Sequence, residues 1–229
     1  MKELLEKILL SDDVVNEFYE NFNNNKVFRK WIDKYLPEIA ECEVQEQNNP
    51  WHIYNVLKHI LVSVEKINGQ TKSYPEPVRK RLSYTMLLHD IGKPECHIRR
   101  EKDGKMIDSY FNHNIASEKI ARRFLKDLEF PQEEIDIIAK LVNKHDIFMF
   151  IKDFKNNNRF WRYLDYKLID DEIADLNSVG DGKELLEQLI KVGRSDNLAQ
   201  NPEMTAESLR MLEKFDKMLN NLDRKSEMV

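Results

Sequence analysis

Cysteine is nearly absent from this chain: Cys42 and Cys96 are the only two in 229 residues. Their separation excludes a Cys-x-x-Cys motif and predicts two reduced, unpaired thiols, as in a reducing compartment. Long apolar runs are missing as well. No stretch approaches about 18 consecutive apolar residues, so nothing is expected to span a membrane. The opening Met1-Lys2-Glu3-Leu4-Leu5-Glu6 has acids where a secretory signal has a cationic and then an apolar stretch, and a cytoplasmic protein is expected. Positive charge is also in deficit, with 36 Lys and Arg against 41 Asp and Glu, a net charge of −5 and a pI near 5.8. Proteins that grip nucleic-acid backbones need a basic face, so broad nucleic-acid binding is disfavoured. A small anionic substrate held through a metal remains compatible.

The hydrophobic share of 41% can fill a core, and the charged share of 34% implies a heavily solvated surface. At roughly 150 residues per domain, the length fits one domain with an extension. Residues 1 to 45 read as a helical extension in which Asn23-Asn24-Asn25 separates a first segment from a second one, Val27 to Ile39. Asn48-Asn49-Pro50 is a turn into a helix over 51–67, which would place His52 and His59, seven apart, on nearly the same face. The next helix runs through Met86-Leu87-Leu88 and carries His89 and Asp90 in its last turn. Gly92 suits a left-handed position beyond its end, and Pro94 stops it. Lys102-Asp103-Gly104-Lys105 marks a small hairpin within 96–111.

Further helices are expected over 113–128, 132–146 and 159–168, with two more between Asp170 and Gln200 broken near Gly180-Asp181-Gly182. An amphipathic helix over 204–221 closes the chain with Leu209, Leu212, Phe215 and Leu219 on one face. The fold class is all-α: a helical bundle with an N-terminal helical extension, at most one small β-hairpin and no repeat. The organisation is an extension over 1–45, a main domain over 46–202, and a C-terminal amphipathic helix and tail over 203–229. The terminal helices are candidate contact surfaces, and the oligomeric state is unreadable from sequence.

Chemistry concentrates in one ordered series: His59, His89-Asp90, His113, His145 and Asp196. Imidazoles and carboxylates together suit a divalent transition metal, iron, manganese, nickel, cobalt or zinc, better than calcium or magnesium. His145-Asp146 is a second His-Asp pair, but Ile147-Phe148-Met149-Phe150 follows it in place of glycine, lysine and proline. Only its histidine is expected to serve. His97 lies in the hairpin without a partner at ligand spacing. The cluster Asp170, Asp171, Glu172 and Asp175 is explained by an exposed helix start, where the dipole favours acids.

With these residues in view, the chain resembles the HD-domain phosphohydrolase superfamily, and most nearly the HD domains of bacterial CCA-adding enzymes and their stand-alone relatives. Trp51-His52-Ile53-Tyr54-Asn55-Val56-Leu57-Lys58-His59 is similar to their first-histidine helix, and His89-Asp90-Ile91-Gly92-Lys93-Pro94 to their central motif. Phe111-Asn112-His113-Asn114 and Leu141-Val142-Asn143-Lys144-His145 resemble the later histidine stations, and Arg194-Ser195-Asp196-Asn197-Leu198 the terminal aspartate helix. The likeness spans roughly residues 35 to 202. Asn114 stands where relatives often carry glutamate and Asn55 where many carry aspartate; neither position is a metal ligand in the pattern.

The resemblance implies one or two divalent ions: His59, His89, Asp90 and Asp196 around the first, and His113 and His145 with a bridging Asp90 around the second. It also implies hydrolysis of a nucleotide or another small phosphoester, a phosphomonoester or a cyclic phosphodiester, with Asp90 orienting the attacking water. Lys93, at the rim, and His52 are candidate contacts to phosphate oxygens. Arg159 and Arg162, beside Trp161, are candidates for an anion-binding edge with an aromatic platform. The competing readings are a non-catalytic metal-binding regulatory module and a phosphodiesterase acting on tRNA ends. The chain contains no glycine-rich nucleotide-transfer motif with paired acids, so nucleotide addition is not implied.

Overall fold

The computed structural model describes residues 1–155 and 160–222. Eleven α-helices dominate the described residues. Four short ones open the chain: α1 (Lys2–Leu9), α2 (Val14–Asn24), α3 (Lys26–Tyr35) and α4 (Glu38–Val44). Asn25 accepts hydrogen bonds from the amides of Val27 and Phe28 and so caps α3. The asparagine break is therefore where it was expected, but two further breaks, at Leu10–Asp13 and at Pro37, divide the segments on either side. Proline cannot donate to a helix ladder, which separates α3 from α4.

The centre of the molecule is α6 (Glu76–Leu88), in which Leu82 to Leu88 are all buried. A helix segment buried on every side must be surrounded, and α6 packs against α1, α5 (Val56–Gln70), α7 (His113–Asp127), α8 (Gln132–Lys144) and α10 (Gly182–Leu198). Arg81 of α6 clamps both carboxylate oxygens of Glu134 on α8, each at 2.8 Å. Leu5, Phe18, Phe28 and Ile32 from the first three helices belong to the same buried apolar cluster as Leu87, Phe124 and Leu189. The last helix, α11 (Pro202–Asn220), buries Leu212, Phe215 and Leu219 against α10 and a 3-10 turn at Ile147–Phe150. Its apolar face is thus spent inside the chain, which removes it as a contact surface. No helix among the described residues is long and apolar enough to cross a membrane.

Strands are marginal. β1 (His97–Lys102) and β2 (Lys105–Tyr110) form an antiparallel hairpin. Asp103 and Gly104 at its tip both have positive φ, 52° and 75°, the requirement of a tight two-residue turn whose twist matches the strands. A second pairing, parallel, joins the two-residue strands β3 (Ile151–Lys152) and β4 (Arg162–Tyr163).

Of the helix expected over 159–168, only 166–168 are helical among the described residues: β4 interrupts the stretch, and α9 (Tyr166–Leu176) starts only after Asp165, which caps it through the Leu168 amide. The acidic cluster is corrected as well. Glu172 lies deep in α9, is buried, and pairs with Lys144 at 2.6 Å and with Arg162. Asp175 holds Lys140 and Lys144 at 2.7 and 2.5 Å. Two of these acids anchor α9 to α8 rather than decorating an exposed helix start.

Candidate metal centre

Five helix ends, those of α5, α6, α7, α8 and α10, converge on one point. His59 comes from the first turn of α5, His89 and Asp90 from the residues just beyond α6, and His113 from the first residue of α7. His145 follows α8, and Asp196 lies in the last turn of α10. Helix α6 ends at Leu88, so the His-Asp pair sits past its end, not in its last turn.

Gly92 is needed for a reason other than the one its position suggested. Its φ is not positive; a Cβ there would meet the Ser117 amide nitrogen at 2.6 Å and the Ala116 Cβ at 2.7 Å. Its own amide donates to Ser117 Oγ at 2.9 Å. Close approach to α7 requires the glycine, and that contact brings His113 to Asp90.

The six side chains form two groups sharing one carboxylate. His59 Nε2 lies 3.1 Å from Asp90 Oδ2 and 3.0 Å from Asp196 Oδ1, and His89 Nε2 lies 3.3 and 3.8 Å from the same two atoms. The other oxygen, Asp90 Oδ1, is 3.2 Å from His113 Nε2 and 3.6 Å from His145 Nε2. His59 and His89 place their Nε2 atoms 3.3 Å apart, and His113 and His145 place theirs 3.1 Å apart.

The other ring nitrogen of each histidine faces a backbone carbonyl: Nδ1 of His59, His89, His113 and His145 meets Ala199, Met86, Tyr110 and Val142 at 3.3, 2.7, 2.8 and 2.7 Å. A carbonyl can only accept, so each Nδ1 carries a proton, and a ring that is neutral presents its lone pair at Nε2. Lone pairs facing one another across about 3 Å repel unless a cation lies between them. Ligands about 2.1 Å from one tetrahedral ion stand about 3.4 Å apart, close to the spacings seen here. Asp90 Oδ2 is buried with Lys93 Nζ 2.6 Å away, and a metal cation there would further offset the cost of burying the charge. The donor set therefore fits two ions, within the two groups His59, His89, Asp90, Asp196 and Asp90, His113, His145.

Electrostatics point the same way. Burial penalises the charged form of Asp90, yet Lys93 and the surrounding histidines outweigh it and hold the carboxyl well below its usual range. Asp196 is likewise held low against burial by His59 and His89, whose own pKa values are raised, so that without an ion a proton takes the cation's place at Nε2. Both carboxylates are anions, as ligands must be.

Lys93 differs from the expected rim cation. It is buried, with Nζ 2.6 Å from Asp90 Oδ2, 2.9 Å from Gln47 Oε1 and 3.1 Å from His52 Nε2. Three acceptors occupy an ammonium with three N–H bonds. His52 is likewise displaced from expectation: α5 begins at Val56, so His52 precedes the helix. A loop brings its ring 5.2 Å from that of His59, and its Nδ1 bonds Asn49 Oδ1 at 2.8 Å. Burial and the Lys93 charge push its pKa down to about 2, so it accepts from Lys93 as a neutral ring.

Arg162 pairs through Nη1 with the buried Glu172. Arg159 lies outside the described residues. His97, expected to lack a partner, bonds Asp108 at 2.9 Å. Asn55 caps α5 through the Lys58 amide, and Asn114 bonds the Asn143 carbonyl, so both departures from the family pattern serve the backbone. Asp146 stands outside both ligand groups. Gln47 and Asp108 were missed by sequence reasoning; an isolated glutamine and a strand aspartate carry no spacing signal.

A family model described as HD domain matches residues 52–200. The chain is 27% identical over 114 residues to the bifunctional uridylyltransferase/uridylyl-removing enzyme of Streptomyces coelicolor, covering 50% of this chain and 12% of that protein. It is also 27% identical over 114 residues to the A-adding tRNA nucleotidyltransferase of Deinococcus radiodurans, covering 50% of this chain and 25% of that one. The likeness therefore reaches only a small part of either relative. With the match spanning most of the chain and the His/Asp cluster inside it, this protein belongs to the HD domain family.

Proposed function

We infer that the protein is a metal-dependent phosphohydrolase acting on a nucleotide or another small phosphoester. The observation that carries this reading is the single carboxylate, Asp90, turning one oxygen to each of two histidine groups. Divalent ions held there would lower the pKa of a bound water and neutralise charge on a phosphoryl oxygen.

Hydrolysis forms a P–O bond to the water oxygen, breaks the P–O bond to the leaving group, and moves a proton from the water to that group. The chain contributes position and charge. Lys93 keeps Asp90 ionised, and Gln47 and His52 keep Lys93 aimed at Asp90. The Nδ1–carbonyl bonds fix all four ring orientations, which limits reorganisation during the reaction. The likeness to a bifunctional uridylyltransferase/uridylyl-removing enzyme supports chemistry on a nucleotidyl phosphoester.

The test is turnover of a phosphoester panel, comprising nucleoside monophosphates, 2′,3′-cyclic nucleotides and p-nitrophenyl phosphate, by full-length protein loaded anaerobically with each of iron, manganese, cobalt, nickel and zinc. Metal-dependent release of product from at least one substrate is expected. Tight metal binding with no turnover for any pairing would favour a non-catalytic binding module instead.

A further inference from the structure

Beside the metal centre the surface carries aromatic rings that the fold leaves uncovered and that lie close to cations. Trp51 directly precedes His52 and is 40% exposed, although its backbone is fixed on both sides. Its amide donates to Asn49 Oδ1 at 3.2 Å, and its carbonyl accepts from the Asn201 amide at 2.7 Å, just beyond the helix that carries Asp196. Lys102, from the hairpin, places Nζ 5.6 Å from the centre of its ring. Across the hairpin, Arg100 lies 5.3 Å from the ring of Phe111, two residues before His113 and 58% exposed.

The hairpin that supplies these cations does not dangle. Its buried aspartate, Asp108, accepts from the Asn48 amide at 2.7 Å and from the Asn48 side chain at 2.9 Å, while its own amide donates to Asn48 O at 3.0 Å. His97 closes the staple on the other oxygen, Asp108 Oδ1, at 2.9 Å. The stapled loop is the one that holds Gln47 and His52 against Lys93. The hairpin, Trp51 and the inner polar residues are therefore one connected unit. Along residues 97–105, Arg99, Arg100, Lys102 and Lys105 outnumber Glu101 and Asp103, giving local positive charge to a chain that is negative overall.

A rigid exposed indole beside a cation, adjacent to residues that face a phosphoester site, suits a flat, electron-rich ring joined to a phosphate. We propose that the hairpin and Trp51 form the base-reading rim of the site, with Trp51 stacking on the nucleobase of a nucleoside monophosphate and Lys102 flanking it. This rests on the phosphohydrolase reading for what happens at the phosphate, but the binding it describes does not need turnover.

Tryptophan fluorescence, read at mixing on metal-loaded protein, tests the rim against the four ribonucleoside 5′-monophosphates and against ribose 5-phosphate, which lacks the base. At least one nucleotide should quench the signal and ribose 5-phosphate should not. Trp51→Phe should remove the quench while Trp161→Phe keeps it. Trp51→Ala should weaken binding of the nucleotide about tenfold, the scale of one base–aromatic stack, and leave ribose 5-phosphate affinity, measured by competition, unchanged. Lys102→Ala should give a smaller loss in the same direction. Absence of quenching by all four nucleotides, loss of the quench in Trp161→Phe instead, or equal weakening of nucleotide and ribose 5-phosphate in Trp51→Ala would each overturn the rim. A failure of the phosphohydrolase reading appears separately, as absent turnover in a protein that still binds the base.

Discussion

The two halves of the His/Asp cluster are unequal. One has four protein donors, His59, His89, Asp90 and Asp196; the other has three, His113, His145 and a share of Asp90. The four-donor half is built on α5, α10 and the end of α6, each of which buries about half of its residues. The three-donor half depends on α7, whose first residue, His113, lies three residues past the hairpin and two past the exposed Phe111. Four protein donors saturate a tetrahedral ion, whereas three leave a position open, which is the difference between a structural and a reactive site. The comparison teaches that the tightly held ion and the reactive one are expected in different halves, with Asp90 coupling them.

Asp90→Ala should give the largest effect, because it removes a donor from both halves and leaves Lys93 with no carboxylate. Phosphoester turnover is expected to fall by about 10³-fold or more, and metal content by at least about one ion per chain. Elemental analysis and kinetics on the same preparation check it, with circular dichroism to confirm folding. Asp146→Ala, in the neighbouring His-Asp pair, should leave metal content and turnover nearly unchanged. Equal losses in the two variants would dissolve the comparison.

His113→Ala should cost about one ion and about 10²-fold in turnover, while the four-donor half keeps its metal. His59→Ala should empty the four-donor half instead. Unchanged stoichiometry with slowed turnover in His113→Ala would leave a single ion in the four-donor half, with the two outer histidines acting on substrate oxygens or water.

Gly92→Ala tests what holds the halves together. The new methyl must displace the Ser117 backbone or Ala116, and overpacking of this kind costs about 1–3 kcal/mol. The expected signature is a lower melting temperature, with metal lost first from the three-donor half, because α7 is the element pushed away.

The smallest effect concerns the hairpin staple. Burial raises the Asp108 pKa, but hydrogen bonds from His97 and Asn48 outweigh it and hold the group below its ordinary value. A carboxyl with a depressed folded pKa stabilises the protein above its unfolded pKa of about 3.9, and that stability is lost as pH falls through the folded value. Asp108→Asn should therefore lower stability near neutrality by about 1–2 kcal/mol and flatten the decline below about pH 4. Denaturant melts from pH 7 to pH 3 check this; an unchanged acid limb would remove Asp108 as the staple.

Much of the fold was legible because local chemistry and packing agree. Asn25, Asp103-Gly104 and Asp181 end or start elements by capping or a positive φ, effects that act within a few residues, whereas the breaks at Pro37 and Asp165 read through as helix. The break at Leu10–Asp13 and the strand at Arg162–Tyr163 were not legible, since neither carries a local signal strong enough to compete with helical periodicity. Glu172 is the clearest case of tertiary override. Its neighbours are acidic, yet it alone turns inward, because Lys144 and Arg162 converge on it from other elements.

The histidines and aspartates of the cluster could be singled out from sequence because their residue types limit what they can bind, and because they stand in an order resembling a known family. What sequence determined was therefore the all-α class, the donor chemistry and the family. Only the tertiary structure decided that Asp90 turns one oxygen to each half, that Gly92 serves close approach and not a left-handed turn, and that Lys93 is buried among three acceptors. Only it tied the hairpin, through Asp108, to the loop behind them. The reason is physical: donor type belongs to a single residue, whereas sharing, burial and close approach depend on atoms brought together from helices far apart in the chain.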